Sequence, residues 1–279
     1  MDFRTTIAIV LLASVSCCGS QAWAASEVPT PPETTLVQRK EASEAVLRND
    51  VVALKAMAET GNSDAIFYVG YMYYEGKGVV QDYAVAANWY RKSAEQGGRV
   101  PQAILAEMYA NGRGVAQNYA EAIVWYRKAA EQDWPAAQLS LGLLYYNGQG
   151  VPQDYSAAAG WFLKAAKSGD AGAEYDLGVM YALGQGVAQN YAVAKGWYRK
   201  AAEAGQIDAQ YNLGLMYWRG EGGPQDYLQA HKWFNLSAAG AVAAETRDRA
   251  VKARDMVATK MTPTQIGEAQ RLASIWQKK

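Results

Sequence analysis

Residues 76–83 read GKGVVQDY, and the phrase returns at 112–119 (GRGVAQNY), 148–155 (GQGVPQDY), 184–191 (GQGVAQNY) and 220–227 (GEGGPQDY). Successive copies start 36 residues apart, with no insertion between them. A fixed period of that size marks a chain built from stacked supersecondary units. In each copy the first glycine can take the left-handed conformation that ends a helix. Asp82, Asn118, Asp154, Asn190 and Asp226 then stand where the next helix needs an N-cap. Asp and Asn alternate in that column, so the capping oxygen is kept while the charge is not. The column is therefore read as helix entry rather than ion binding.

Upstream of each turn lies one helical stretch, Asp64 to Glu75 in the first copy. Ala65, Val69, Met72 and Tyr73 recur at i, i+4, i+7 and i+8, the spacing of one helix side. Beside them runs a small-residue column of Gly70, Ala106, Gly142, Gly178 and Gly214. Glycine inside a helix costs about 1 kcal/mol relative to alanine, so its recurrence predicts that another backbone approaches too closely for a side chain. Downstream, Tyr83 to Ala94 forms the second helix of the first copy. Tyr83, Ala86, Tyr90 and Ser93 are spaced to face inward, and Ala86, Ala122, Ala158, Ala194 and Ala230 hold the helices close. Lys92, Lys128, Lys164 and Lys200 sit near the C-terminal end, where cations complement the helix dipole. The fifth copy departs with Leu236 and with Gly223 in place of valine, which predicts a looser turn.

The repeats organise the rest of the chain. Residues 1–24 read as a secretory signal peptide, with Arg4, an apolar run from Ile7 to Val15, and a cleavage site at Ala22-Trp23-Ala24. Residues 25–37 form a polar, proline-bearing tether. Residues 38–63 are a worn copy of the repeat that covers the N-terminal end, residues 64–240 hold the five full copies, and residues 241–279 supply C-terminal capping helices. In that last segment a charged helix runs from Val242 to about Thr259, and Thr262-Pro263 starts another. The address predicts a periplasmic or secreted protein with no membrane-spanning segment once the leader is removed.

Composition removes several function classes. The 279 residues carry 27 basic and 27 acidic side chains, so no electrostatic footprint for nucleic acid exists. Cys17 and Cys18 both fall in the leader, and with them go thiol catalysis, redox sensing and cysteine metal sites. His231, the single histidine, shares its column with Ala87, Ile123, Ala159 and Lys195, a position that reads as tolerant of anything. A Ser/His/Asp triad and a histidine zinc cluster are excluded. The G-x-G turn lacks the third glycine and preceding strand of a dinucleotide site. Glu107, Glu174 and Asp176 are acids on first helices without a local pairing pattern, and they read as solvated helix surface. No catalytic residue, cofactor or metal is expected.

The combination A-x-x-x-L-G-x-x-Y…G-x-G-V-x-Q-[DN]-Y-x-x-A-x-x-W-[YF]-x-K-A-A at period 36 resembles the Sel-one-like repeat family, relatives of tetratricopeptide arrays. The resemblance implies an all-α fold, an α-solenoid of antiparallel helix pairs whose first helices line a concave face. It also implies a non-catalytic adaptor or scaffold that binds a protein or peptide as a monomer, with envelope regulation or host contact as the setting. An envelope enzyme acting on peptidoglycan or β-lactams is the alternative.

By the same resemblance, a second stripe on the first helices faces the groove. Its candidate partner-binding residues are Phe67, Tyr71, Tyr74, Glu107, Tyr146, Tyr175, Tyr211 and Trp218. They vary in size and polarity between copies while the packing columns hardly vary. Packing between neighbouring first helices stays open as the other account of this stripe, because apolar residues at helical spacing usually form core.

Overall fold

The computed structural model describes residues 36–277; the signal peptide and most of the tether lie outside the described residues. Every regular element among them is a helix. The chain divides into two compact units, 1–125 and 126–279.

The first unit holds α1 (Leu36–Leu47), α2 (Val51–Glu59), α3 (Ser63–Glu75), α4 (Tyr83–Glu95), α5 (Arg99–Asn111) and the start of α6 (Tyr119–Ala130). Its worn N-terminal copy buries one side only, with Ala42, Ala45, Leu54 and Ala58 packed against Ala65, Val69 and Met72 of α3. The second unit takes the rest of α6 and continues through α7 (Pro135–Asn147), α8 (Tyr155–Lys167), α9 (Ala171–Leu183), α10 (Tyr191–Glu203), α11 (Ile207–Arg219) and α12 (Tyr227–Gly240). It closes with α13 (Ala244–Ala258) and α14 (Pro263–Gln277). Arg249 of α13 donates to Asp208 of α11 at 2.9 Å, and Trp233 meets Trp276 edge-on at 6.2 Å.

Each repeat is an antiparallel pair. Tyr74, at the end of α3, meets Tyr83, at the start of α4, with ring centroids 5.1 Å apart, while Phe67 nearer the beginning of α3 meets Tyr90 at 5.7 Å. The alanine column of the second helices is fully buried at Ala86, Ala122, Ala158, Ala194 and Ala230. The glycine column is tight for a different reason from the one expected. A methyl group added at Gly142 or Gly178 would lie 2.5 Å from the ring of Phe162 or Tyr198, and at Gly214 it would lie 2.8 Å from Phe234. An aromatic ring of the second helix fills the space, and no foreign backbone does.

The turn is held by three sets of bonds. Gly76 closes α3 at φ 70°, and its N–H donates to the Met72 carbonyl. Gln81 Nε2 then caps the Tyr74 carbonyl at 2.8 Å, and the Asp82 N–H reaches the Tyr73 carbonyl at 3.0 Å. Helix ends leave carbonyls without intrahelical partners, and this glutamine satisfies one of them in all five copies. Gln117, Gln153, Gln189 and Gln225 bond Ala110, Tyr146, Ala182 and Trp218 in the same way. The fifth turn keeps this bond and the Asp226–Tyr217 backbone bond, so the predicted loosening is not visible in its hydrogen bonding. The cap column behaves as read, with Asp82, Asn118, Asp154, Asn190 and Asp226 all accepting from the first turn of the following helix.

Three features went unread in the sequence. The second glycine of the turn also lies at positive φ, and at Gly114, Gly186 and Gly222 an added methyl would collide with the backbone of Tyr83, Tyr155 and Tyr191 respectively. A second-helix arginine reaches the tyrosine of the next first helix: Arg91 to Tyr109 at 2.7 Å, Arg127 to Tyr145 at 2.6 Å and Arg199 to Tyr217 at 3.1 Å. The lysines near the helix ends also lie over tryptophan rings, Lys164 on Trp161 at 4.0 Å and Lys92 on Trp89 at 4.4 Å.

Gly186→Ala and Gly160→Ala separate the two kinds of glycine. Gly186 combines φ 67° with the Tyr155 backbone, whereas Gly160 has open space around it inside α8. Urea unfolding is expected to show a loss of roughly 2–3 kcal/mol for the first and a gain of about 0.5–1 kcal/mol for the second. Equal effects would contradict the seated-turn account.

Candidate functional site

The eight residues of the second stripe separate by burial. Phe67 is 7% exposed, Tyr175 3% and Tyr211 8%. Their rings pack on Tyr90, Tyr198 and Phe234 of the paired second helix at centroid distances of 5.7, 5.9 and 5.4 Å. These three belong to the core of their own repeat. The physical reason is helical phase, since they lie three positions before the glycine that receives the second-helix ring. Tyr71, Tyr74, Glu107, Tyr146 and Trp218 keep partial exposure.

Several of those five are held in place from the next turn. Tyr146 donates from its hydroxyl to Gln185 Oε1 at 2.7 Å, across 39 residues. Arg113 makes the equivalent contact with the Tyr74 hydroxyl and lies 5.4 Å from the Tyr83 ring. Tyr71 accepts from Lys77 at 2.5 Å. Both Tyr74 and Gln185 sit at repeat positions whose identity changes from copy to copy. The result is a set of oriented aromatic side chains, each with an apolar face and a polar edge.

The acids correct the sequence reading of a solvated surface. Glu174 is buried, and Asp176 and Glu107 are partly buried. Burial pushes the Asp176 carboxyl up to about 8, with Asp170 adding to the shift. Burial also raises Glu107, which Arg113 partly offsets, and raises Glu174, which Lys200 partly offsets. A partly desolvated carboxyl favours its neutral form. Burial of the Tyr146 hydroxyl takes it up to about 12, with Tyr155 and Asp176 contributing.

His231 corrects a second reading. The histidine is 2% exposed, and its column is buried throughout at Ala87, Ile123, Ala159 and Lys195. Burial and the charge of Arg254 lower its pKa, so it sits in the core as neutral imidazole. Lys195 fits the same column by laying its ammonium over the Tyr217 ring at 3.8 Å. Among the described residues no helix is long and apolar enough to cross a membrane.

The Sel1 repeat pattern matches residues 63–98, 102–134, 135–170, 171–206 and 207–241. The chain belongs to the Sel1 repeat family. Among solved structures it is similar to a Sel1 repeat protein from Oxalobacter formigenes, at 30% identity over 86% of this chain and 95% of that one, with a TM-score of 0.68. It is also similar to a protective antigen of uropathogenic Escherichia coli with an SLR fold, at 28% identity over 87% of this chain and 68% of the other, with a TM-score of 0.43. No curated protein matches the chain. The fold is thus an all-α solenoid of Sel1 helix pairs, and Sel1 repeat proteins are generally scaffolds for protein–protein interaction rather than catalysts.

Asp176 makes stability depend on pH in a defined direction. Its folded pKa, about 8, lies above the ordinary 3.8, so the folded protein holds a proton that the unfolded chain releases. Stability is therefore lost as pH rises from 3.8 towards 8. Asp176→Asn removes the effect. Calorimetry is expected to show its melting temperature exceeding wild type by an amount that grows over that range, reaching the order of a few degrees at the alkaline end. A difference independent of pH would refute the assignment.

Proposed function

We propose that this Sel1 array is a non-catalytic periplasmic or secreted scaffold that takes a protein or peptide against the first-helix face. The observation that carries the reading is the contrast between columns. The glycine and alanine columns that face the paired helix stay small and are buried, whereas the half-exposed inner positions change from Tyr71 to Glu107 and from Tyr74 to Ala110 and Trp218. Packing does not require that variety, and a surface that reads one partner does. Partly exposed Tyr74 and Tyr146, pre-positioned by Arg113 and Gln185, provide contact area at low entropic cost. Export rests on the leader pattern ending at Ala24. Envelope regulation or host contact is the setting this scaffold suits.

One feature favours the hydrolytic alternative: burial raises the Asp176 carboxyl to about 8, the direction a general acid needs. Purified protein is expected to turn over neither nitrocefin nor muropeptides. Turnover that disappears in Asp176→Asn would reverse the ranking.

The scaffold reading is tested by crosslinking in envelope fractions with wild type and with a Tyr71→Ala/Tyr74→Ala/Tyr146→Ala/Trp218→Ala variant shown to be folded by circular dichroism. Partner recovery is expected to fall at least about tenfold, the size of a small hot-spot cluster. A Tyr175→Phe/Tyr211→Phe control, altered only in the core, is expected to recover partners as wild type does. Equal recovery by the two multiple variants would count against the face.

A further inference from the structure

We propose that Arg113, in the turn that follows α5, is a subsite for one carboxylate side chain, aspartate or glutamate, on the bound protein segment. The proposal rests on the first-helix-face reading and names the chemistry of the partner at one point of that face.

The backbone fixes where Arg113 stands. It lies between Gly112 and Gly114, both at positive φ, and Gly114 rests against the Tyr83 carbonyl with no room for a methyl group. The side chain is then held by neutral groups. Its Nη1 donates to the Tyr74 hydroxyl, and its Cζ lies 5.6 Å from the centre of the Tyr74 ring and 5.4 Å from that of Tyr83. The two rings are themselves 5.1 Å apart, so guanidinium and rings form a nearly equilateral triangle. All three side chains are half-buried, which leaves the cluster an open side.

A hydroxyl and two ring faces orient a guanidinium without cancelling its charge. Arg219, Arg249 and Arg271 each meet an acid, whereas Arg113 joins no ion pair among the described residues. Its Nε and Nη2 make no hydrogen bond among those residues either. Glu107 of α5, six residues before it, does not pair with it, and burial pushes that carboxyl towards its neutral form. The spare N–H groups of a guanidinium form a planar fork that matches a carboxylate. No second cation contacts Tyr74 or Tyr83 among the described residues, so the cluster balances a single negative charge rather than a phosphate dianion.

The second unit supplies the comparison. Tyr146 and Tyr155 make the same ring pair at 5.0 Å, and Gln185, which holds the place of Arg113 two copies on, accepts from the Tyr146 hydroxyl at 2.7 Å. The ring pair and its tie to the turn are thus satisfied there by a neutral amide. Arginine at 113 brings a charge that the framework does not need, and a partner carboxylate gives that charge a use.

The test follows the Arg113 Nε–H signal of the full-length protein by nitrogen-15 NMR. The probes are N-acetyl-glutamate amide with its side-chain carboxylate free, the neutral isostere N-acetyl-glutamine amide, and inorganic phosphate. The glutamate probe is expected to shift the signal saturably, with an apparent affinity at least about tenfold above that of either other probe. Arg113→Gln installs the pairing seen at Tyr146 and Gln185, so Tyr74 keeps a tether and circular dichroism is expected to be unchanged. In that variant the glutamate-induced shifts of the Tyr74 and Tyr83 ring signals are expected to vanish. No response to glutamate, an equal response to glutamine or phosphate, or ring shifts that persist in Arg113→Gln would each overturn the subsite. Arg113→Gln leaves every aromatic residue of the crosslinking variant in place, so the first-helix face can survive the loss of this subsite.

Discussion

At Gly114, Gly186 and Gly222 the second glycine of the turn rests against the carbonyl group that opens the preceding second helix, as at Gly186 over Tyr155. No other residue combines the positive φ with the absence of a Cβ that this contact demands. Once the turn is seated, the number of residues from one second helix to the next turn is fixed, and an insertion would lift the turn off its seat. The other long spacings follow from it. An arginine reaches the tyrosine 18 residues on, as Arg199 reaches Tyr217, and Tyr146 reaches Gln185 39 residues on, because both pairs span one seated junction. The 36-residue period is thus enforced by contact as well as by sequence inheritance.

That contact explains how much of the fold was legible. Turn, caps and alanine columns are local or periodic signals, and they read correctly from the chain. The glutamine cap, linking each Gln to a carbonyl seven residues earlier, was legible in principle, because an invariant polar residue beside a helix end has an orphan carbonyl to satisfy. The partner of the glycine column was not, because a small residue records only that something is close. The buried His231 column misled for a different reason. A column containing lysine looks exposed, but Lys195 buries its stem and finds the Tyr217 ring for its ammonium.

The candidate site was half legible, and the division has a geometric cause. Successive residues turn by about 100°, so a residue three before the glycine lies about 60° from it, still within reach of the second-helix ring. Phe67, Tyr175 and Tyr211 occupy that phase and are absorbed by the core. Tyr71 follows the glycine directly and turns away from the ring. Spacing alone placed both on one stripe, and only the position of the incoming ring splits them.

Exchange of tyrosine for phenylalanine at position 162 leaves ring packing on Gly142 intact, so the core registers almost nothing. The hydroxyl that Tyr198 offers to Asn212 has no counterpart at Phe162, which holds the same place one copy earlier. A packing column can therefore alter the polarity of the inner face without changing its own volume. In an array whose framework tolerates little variation, such silent exchanges in the core and the free positions beside Tyr71 and Tyr74 are where one copy can differ chemically from the next.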